Sequence, residues 1–156
     1  KDAHVWEDYG PGTHTWPYWE RDLHKTLPRF LELFGSPPPT PSSFTHRNIE
    51  SRYDIFGWAV KLKRPVLEFS RLDVKGRGTF RLSGTGRARV TTAPIYTAGE
   101  PYRVKVGRKV GTIVADPRGR LRITVALGAP NSLQAFTPGA DQTSVTRSRK
   151  VTIRGT

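Results

Sequence analysis

The 156-residue chain contains no cysteine and no methionine, and its acidic residues number only 13 against 26 lysines and arginines. Without cysteine there is no disulfide framework to read, and the redox compartment stays open. The same absence, with no histidine-rich cluster, argues against a zinc site. His4, His14 and His24 recur every ten residues but fall on an expected strand, turn and helix, so they do not converge on a shared metal. Gly84-Thr85-Gly86 lacks the third glycine, the helix and the acid of a dinucleotide fingerprint, and no cofactor is implied. No apolar run approaches membrane-spanning length, so no transmembrane segment is expected. The missing initiator methionine is most simply read as truncation or processing.

What is present divides unequally. Residues 1–35 carry four Lys/Arg and six Asp/Glu, a net charge of −2, whereas the remainder carries 22 and seven, a net charge of +15. Between them, Gly35 to Ser43 reads Gly-Ser-Pro-Pro-Pro-Thr-Pro-Ser-Ser. Such a segment cannot continue a helix and is expected to form an extended spacer over residues 36–43, with Gly35 as the residue just past a helix end.

In the first part, Ala3–Tyr9 is expected as a strand and Gly10-Pro11-Gly12 as a turn that presents His14. From Pro17 onward, Trp19, Leu23, Leu27, Phe30, Leu31 and Phe34 recur at three- and four-residue spacing, which predicts an amphipathic helix kinked or broken at Pro28. The order Gly12-Thr13-His14-Thr15-Trp16-Pro17-Tyr18-Trp19 resembles the C-terminal end of α/β-hydrolase esterases of the branch that includes mycolyltransferases and S-formylglutathione hydrolase-like esterases.

The resemblance covers roughly residues 3 to 34 and implies that His14 is the general base and acid of a Ser-His-acid triad, with Trp16 on the substrate side. In this class the histidine comes last in chain order and the serine sits on an upstream Gly-x-Ser-x-Gly elbow. No such elbow occurs in the chain, and none of Asp2, Glu7 and Asp8 is assigned as the acid. The resemblance therefore implies a piece of an esterase or acyltransferase, inactive alone, whose parent takes an ester or acyl-donor substrate. It also favours a secreted or cell-envelope setting.

The second part, residues 44–156, reads as strands throughout. Tyr53–Leu62 and Val66–Leu72 are expected as two strands around a Lys63-Arg64-Pro65 turn, followed by runs at 79–82, 87–92, 102–106, 110–115, 121–127 and 150–153. Short strands at this spacing predict a mainly β fold, an immunoglobulin-like β-sandwich after the strand-turn-helix remnant of a hydrolase domain. Val110–Leu121, with its Asp116-Pro117-Arg118-Gly119 turn, is similar to hairpins of bacterial immunoglobulin-like modules.

Charge supplies the alternative reading, a non-catalytic module. Arg81, Arg87, Arg89, Arg103, Lys105, Arg108, Lys109, Arg118, Arg120, Arg122, Arg147, Arg149 and Lys150 give this part a positive field suited to weak electrostatic binding of polyanions: nucleic acid, anionic lipid surfaces or acidic envelope polymers.

Overall fold

The structure, a computed structural model, describes Glu7, Gly10 and residues 12–156. Apart from Glu7, which is not in a strand, the strand expected over Ala3–Tyr9 lies outside the described residues. The chain forms two compact units, Lys1–Pro39 and Thr40–Thr156.

Helix α1, Trp16–Gly35, dominates the first unit. Thr15 is the extended N-cap residue, and its carbonyl accepts from the amides of Tyr18 and Trp19 at 3.1 and 3.3 Å. Pro17 sits in the first turn, where a missing N–H costs nothing. The helix continues unbroken through Pro28, so the expected break does not occur. Gly35 is the last helical residue, not the left-handed residue beyond the end; the cap is Ser36, whose amide donates to the Glu32 carbonyl at 3.1 Å. No residue of α1 is buried.

The second unit is β-rich. Its strands are β1 (Ser43–Asn48), β2 (Arg52–Ile55), β3 (Trp58–Lys63), β4 (Ser70–Lys75), β5 (Thr79–Gly84), β6 (Gly86–Thr91), β7 (Pro101–Val106), β8 (Lys109–Val114), β9 (Arg122–Gly128) and β10 (Arg147–Gly155), with a short helix α2 (Ala140–Thr143). They form two antiparallel sheets: six strands ordered β1-β4-β5-β10-β7-β8, and four ordered β2-β3-β6-β9. Ser43, placed in the spacer from the sequence, is the first residue of β1.

One core lies between the sheets. Leu72, Phe80, Leu82 and Val151 face it from the larger sheet, and Val60, Val90, Ile123, Val125 and Leu127 from the smaller. Trp58 and Phe80 meet across it edge to face at 5.4 Å. The strict alternation of β3, β6 and β9 follows from the period-2 geometry of strands with one face buried.

Three further expectations, all in the second unit, differ from the structure. Tyr53–Leu62 is not one strand but the hairpin β2–β3, reversed at Phe56-Gly57, where both φ values are positive (49° and 79°), as a two-residue turn between twisted strands demands. Val66–Phe69 is not strand: the Glu68 carbonyl accepts from Arg64 and the Leu67 carbonyl from the Ala135 amide at 3.1 Å, and β4 starts only at Ser70. The pair β8 and β9 is not a hairpin. The Asp116–Gly119 turn carries the chain from the six-stranded to the four-stranded sheet.

That turn is closed locally. The Asp116 carboxylate accepts from the amides of Arg118 and Arg120 at 2.9 and 3.0 Å, and the Gly119 amide donates to the Asp116 carbonyl at 2.8 Å.

Candidate functional site

His14 occupies a tight bend one residue before the N-cap of α1. The Thr15 amide donates to the Thr13 carbonyl at 2.8 Å, and the two threonine hydroxyls lie 3.4 Å apart. Gly12 packs on the Tyr18 ring, and a Cβ added there would lie 3.3 Å from it. The His14 imidazole is exposed and lies edge-on to Trp19, centroids 6.1 Å apart; Trp16 meets the same indole at 5.1 Å. Trp16 is 77 % exposed. The bend and the first helical turn thus bring His14, Trp16 and Trp19 into one aromatic cluster.

The apolar stripe that follows is uncovered. Leu23, Leu27, Phe30, Leu31 and Phe34 are all exposed, with Phe30 and Phe34 stacked at 6.3 Å. Of the acids near the bend, Glu7 is exposed, and Asp2 and Asp8 lie outside the described residues, as does His4. His24 faces Glu20 at 4.0 Å, one turn away along α1. Among the described residues no group of three metal-ligating side chains converges.

The second unit contains one buried ionic network. The Glu68 carboxylate accepts from Arg64 Nη1 at 3.4 Å, from the Thr85 hydroxyl and from the Asn131 amide, while Asn131 also bonds both backbone groups of Val145. The Arg64 side chain is wholly enclosed, and burial pulls its pKa down against the opposing pull of Glu68. Each Glu68 oxygen has a protein donor, so the network ties loops together and does not poise a reactive acid.

The cations do not share one surface. Arg87, Arg89 and Arg122 stand on the outer face of the four-stranded sheet, and Arg81, Arg103, Lys105 and Lys150 on strands of the six-stranded sheet. Arg108 and Arg118 occupy turns, and the Nε of Arg120 is buried without a partner. Arg52, Lys61 and Lys63 join Arg87 and Arg89 on the smaller sheet; these three were not legible as members of a cluster until β2 and β3 paired. In the six-stranded sheet, Asp73 supplies a counter-charge. It accepts from Arg71 Nε at 2.8 Å and lies opposite Arg81. Burial pushes its pKa up, but hydrogen bonds from Thr45 and Arg71 outweigh that and hold it below the usual carboxylate value.

No protein-family model, curated protein or solved structure matches the chain. Among the described residues no helix is long and apolar enough to cross a membrane.

Proposed function

We propose that residues 1–35 are the C-terminal end of a serine esterase or acyltransferase domain, with His14 as its general base and acid, followed by a non-catalytic immunoglobulin-like sandwich. The observation that carries this reading is α1. The helix directly after the histidine turn presents a continuous apolar stripe, and none of its residues is buried. A helix of that kind is built to cover a hydrophobic sheet, as helices do in α/β folds. The sheet, the serine and the acid would be supplied by polypeptide preceding Lys1.

The chemistry follows from the histidine's place. Its imidazole would take the serine proton as the acyl-enzyme forms and return it to the leaving alcohol, with an upstream carboxylate fixing the tautomer. Water as the second nucleophile gives hydrolysis; a sugar or other alcohol gives transfer. Trp16, beside the imidazole through Trp19, would line the acyl-donor side.

The test is ester cleavage by the product of the complete reading frame. His14→Ala is expected to lower turnover by roughly four to six orders of magnitude, as removal of a triad histidine does. The 156-residue chain alone is expected to give no acyl-enzyme burst. Near-normal turnover of the His14→Ala protein overturns the assignment.

A further inference from the structure

The outer face of the four-stranded sheet carries cations set directly against one another. Arg52 on β2 lies opposite Lys61 on β3, and Lys61 lies opposite Arg89 on β6, forming one row across three strands. In the next row Lys63 lies opposite Arg87. All five are exposed. Like charges at opposed positions destabilise a sheet, because their Cβ atoms stand only about 5 Å apart. The single acid on the face, Asp54, is opposite Ala59 and compensates none of these pairs.

The larger sheet is arranged differently. Its Lys150–Arg81 pair is followed across the next strand by Asp73, and its Arg154–Arg103 pair by Thr112. Only the smaller sheet keeps an uninterrupted three-strand row of positive charge. The adjoining pair, Lys63 and Arg87, also lines an open surface depression of about 590 Å³ together with Pro65, Gly86 and Ala126.

The chemistry of the face narrows the partner. Its outward positions hold no aromatic residue, since Tyr53 and Trp58 point into the core, so there is no platform on which bases could stack. They hold no large apolar side chain to enter a bilayer either. Cations repeat at one strand spacing, about 4.8 Å, on a sheet face. Duplex DNA is read by elements that enter its grooves, whereas an extended strand bearing one anion per unit can lie along such a row. The adjoining depression falls in the size range of small-ligand sites, room enough for a sugar unit beside the row.

We propose that this face binds a linear anionic polysaccharide, its acidic groups along Arg52, Lys61 and Arg89 and one sugar seated between Lys63 and Arg87. The repulsion among the cations is then relieved by the ligand. This inference is independent of the assignment of His14.

The test uses the 156-residue chain and polygalacturonate as the probe, titrated at 50 and 200 mM salt, with duplex DNA of equal total charge as comparator. The double substitution Lys61→Thr, Arg89→Thr is expected to weaken polygalacturonate binding at least tenfold at 50 mM salt. It should also flatten the log-log salt dependence by about 1.4, the counterions of two contacts on a single strand. The same substitution should raise the melting temperature of the free protein, because it removes like-charge pairs. Arg103→Thr, Arg154→Thr on the other sheet removes the same charge and should leave affinity within twofold. Lys63→Gln, Arg87→Gln provides a second pair and should reproduce the loss. Equal losses on the two sheets, unchanged affinity in the Lys61/Arg89 variant, or tighter binding of duplex DNA than of polygalacturonate would each overturn the proposal.

Discussion

The backbones of Tyr96 and Gly119 are in direct contact. The Tyr96 amide donates to the Gly119 carbonyl at 3.1 Å, and a Cβ added to Gly119 would come within 2.2 Å of the Tyr96 carbonyl oxygen. Gly119 has φ 69°, so a side chain there is strained by its own backbone as well as by its neighbour. This contact secures the passage of the chain from one sheet to the other. Gly119→Ala is expected to cost at least about 2 kcal/mol, seen as a lower urea midpoint with an unchanged slope.

Tyr96 also makes stability sensitive to alkali. Its hydroxyl donates to the Arg77 carbonyl at 2.7 Å, and burial pushes its pKa up to about 12 despite the nearby Arg77. The unfolded phenol ionises near 10, so between roughly pH 10 and 12 the unfolded state binds fewer protons than the native one and stability falls as pH rises. The contribution is fully present below pH 10, and about 2 to 3 kcal/mol is lost across that window. Tyr53, raised by burial in the same sense, adds to the loss. Denaturation at a series of alkaline pH values should show the fall, and Tyr96→Phe should make it shallower.

Removing the carboxylate of Glu68 strands a buried guanidinium. Glu68→Ala is expected to destabilise the second unit by about 3 to 5 kcal/mol, the usual result of breaking an enclosed ion pair from one side. Asn131→Ala, which leaves the Arg64–Glu68 pair in place, should cost less, about 2 kcal/mol, mostly the bond to the carboxylate. Equal effects of the two substitutions in chemical denaturation would show that the ion pair is not the centre of the network.

The folding boundary can be tested by N-terminal trimming. The Ser42 carbonyl and the Ser43 hydroxyl both accept from the Gly76 amide, and β1 pairs with β4 along its whole length. A polypeptide beginning at Thr40 should unfold in one cooperative transition. One beginning at Asn48 loses the β1 ladder and should melt lower, with β4 left as an unprotected edge.

Strand positions from β5 to β9 were readable because alternation and glycine-bearing turns fall where the pairing puts them, whereas β10 extends on both sides of the expected run 150–153. Lys109–Val114 and Arg122–Gly128 differ from the expected runs by about a residue at each end. The β2–β3 hairpin was hidden because Phe56, a bulky residue, takes the left-handed position more often given to asparagine or glycine. Reading through it as one strand also concealed the row Arg52, Lys61 and Arg89, which depends on cross-strand register and not on sequence spacing. Val66–Leu72 looked like one strand because its apolar alternation is real, but only Ser70–Leu72 enters the ladder; ahead of it the Glu68 carbonyl is taken by Arg64 and the Leu67 carbonyl by the Ala135 amide. Near His14 the sequence was informative at Pro17, which stands in the first turn of α1 as its chemistry suggests.

The order of the six-stranded sheet places β10, the strand that follows all the others in sequence, between β5 and β7. Until its residues have left the ribosome, the β1-β4-β5 and β7-β8 halves have no strand to join them, and two inner edges stay open. Closing the sheet then requires contacts of high sequence separation, the slow kind of assembly that leaves unpaired strands exposed to other chains. A nascent chain paused before Arg147 would hold most of its apolar residues but not the strand that joins the halves of its larger sheet. In vivo, yield should therefore depend more on completing the last nine strand residues than on any substitution within the first unit.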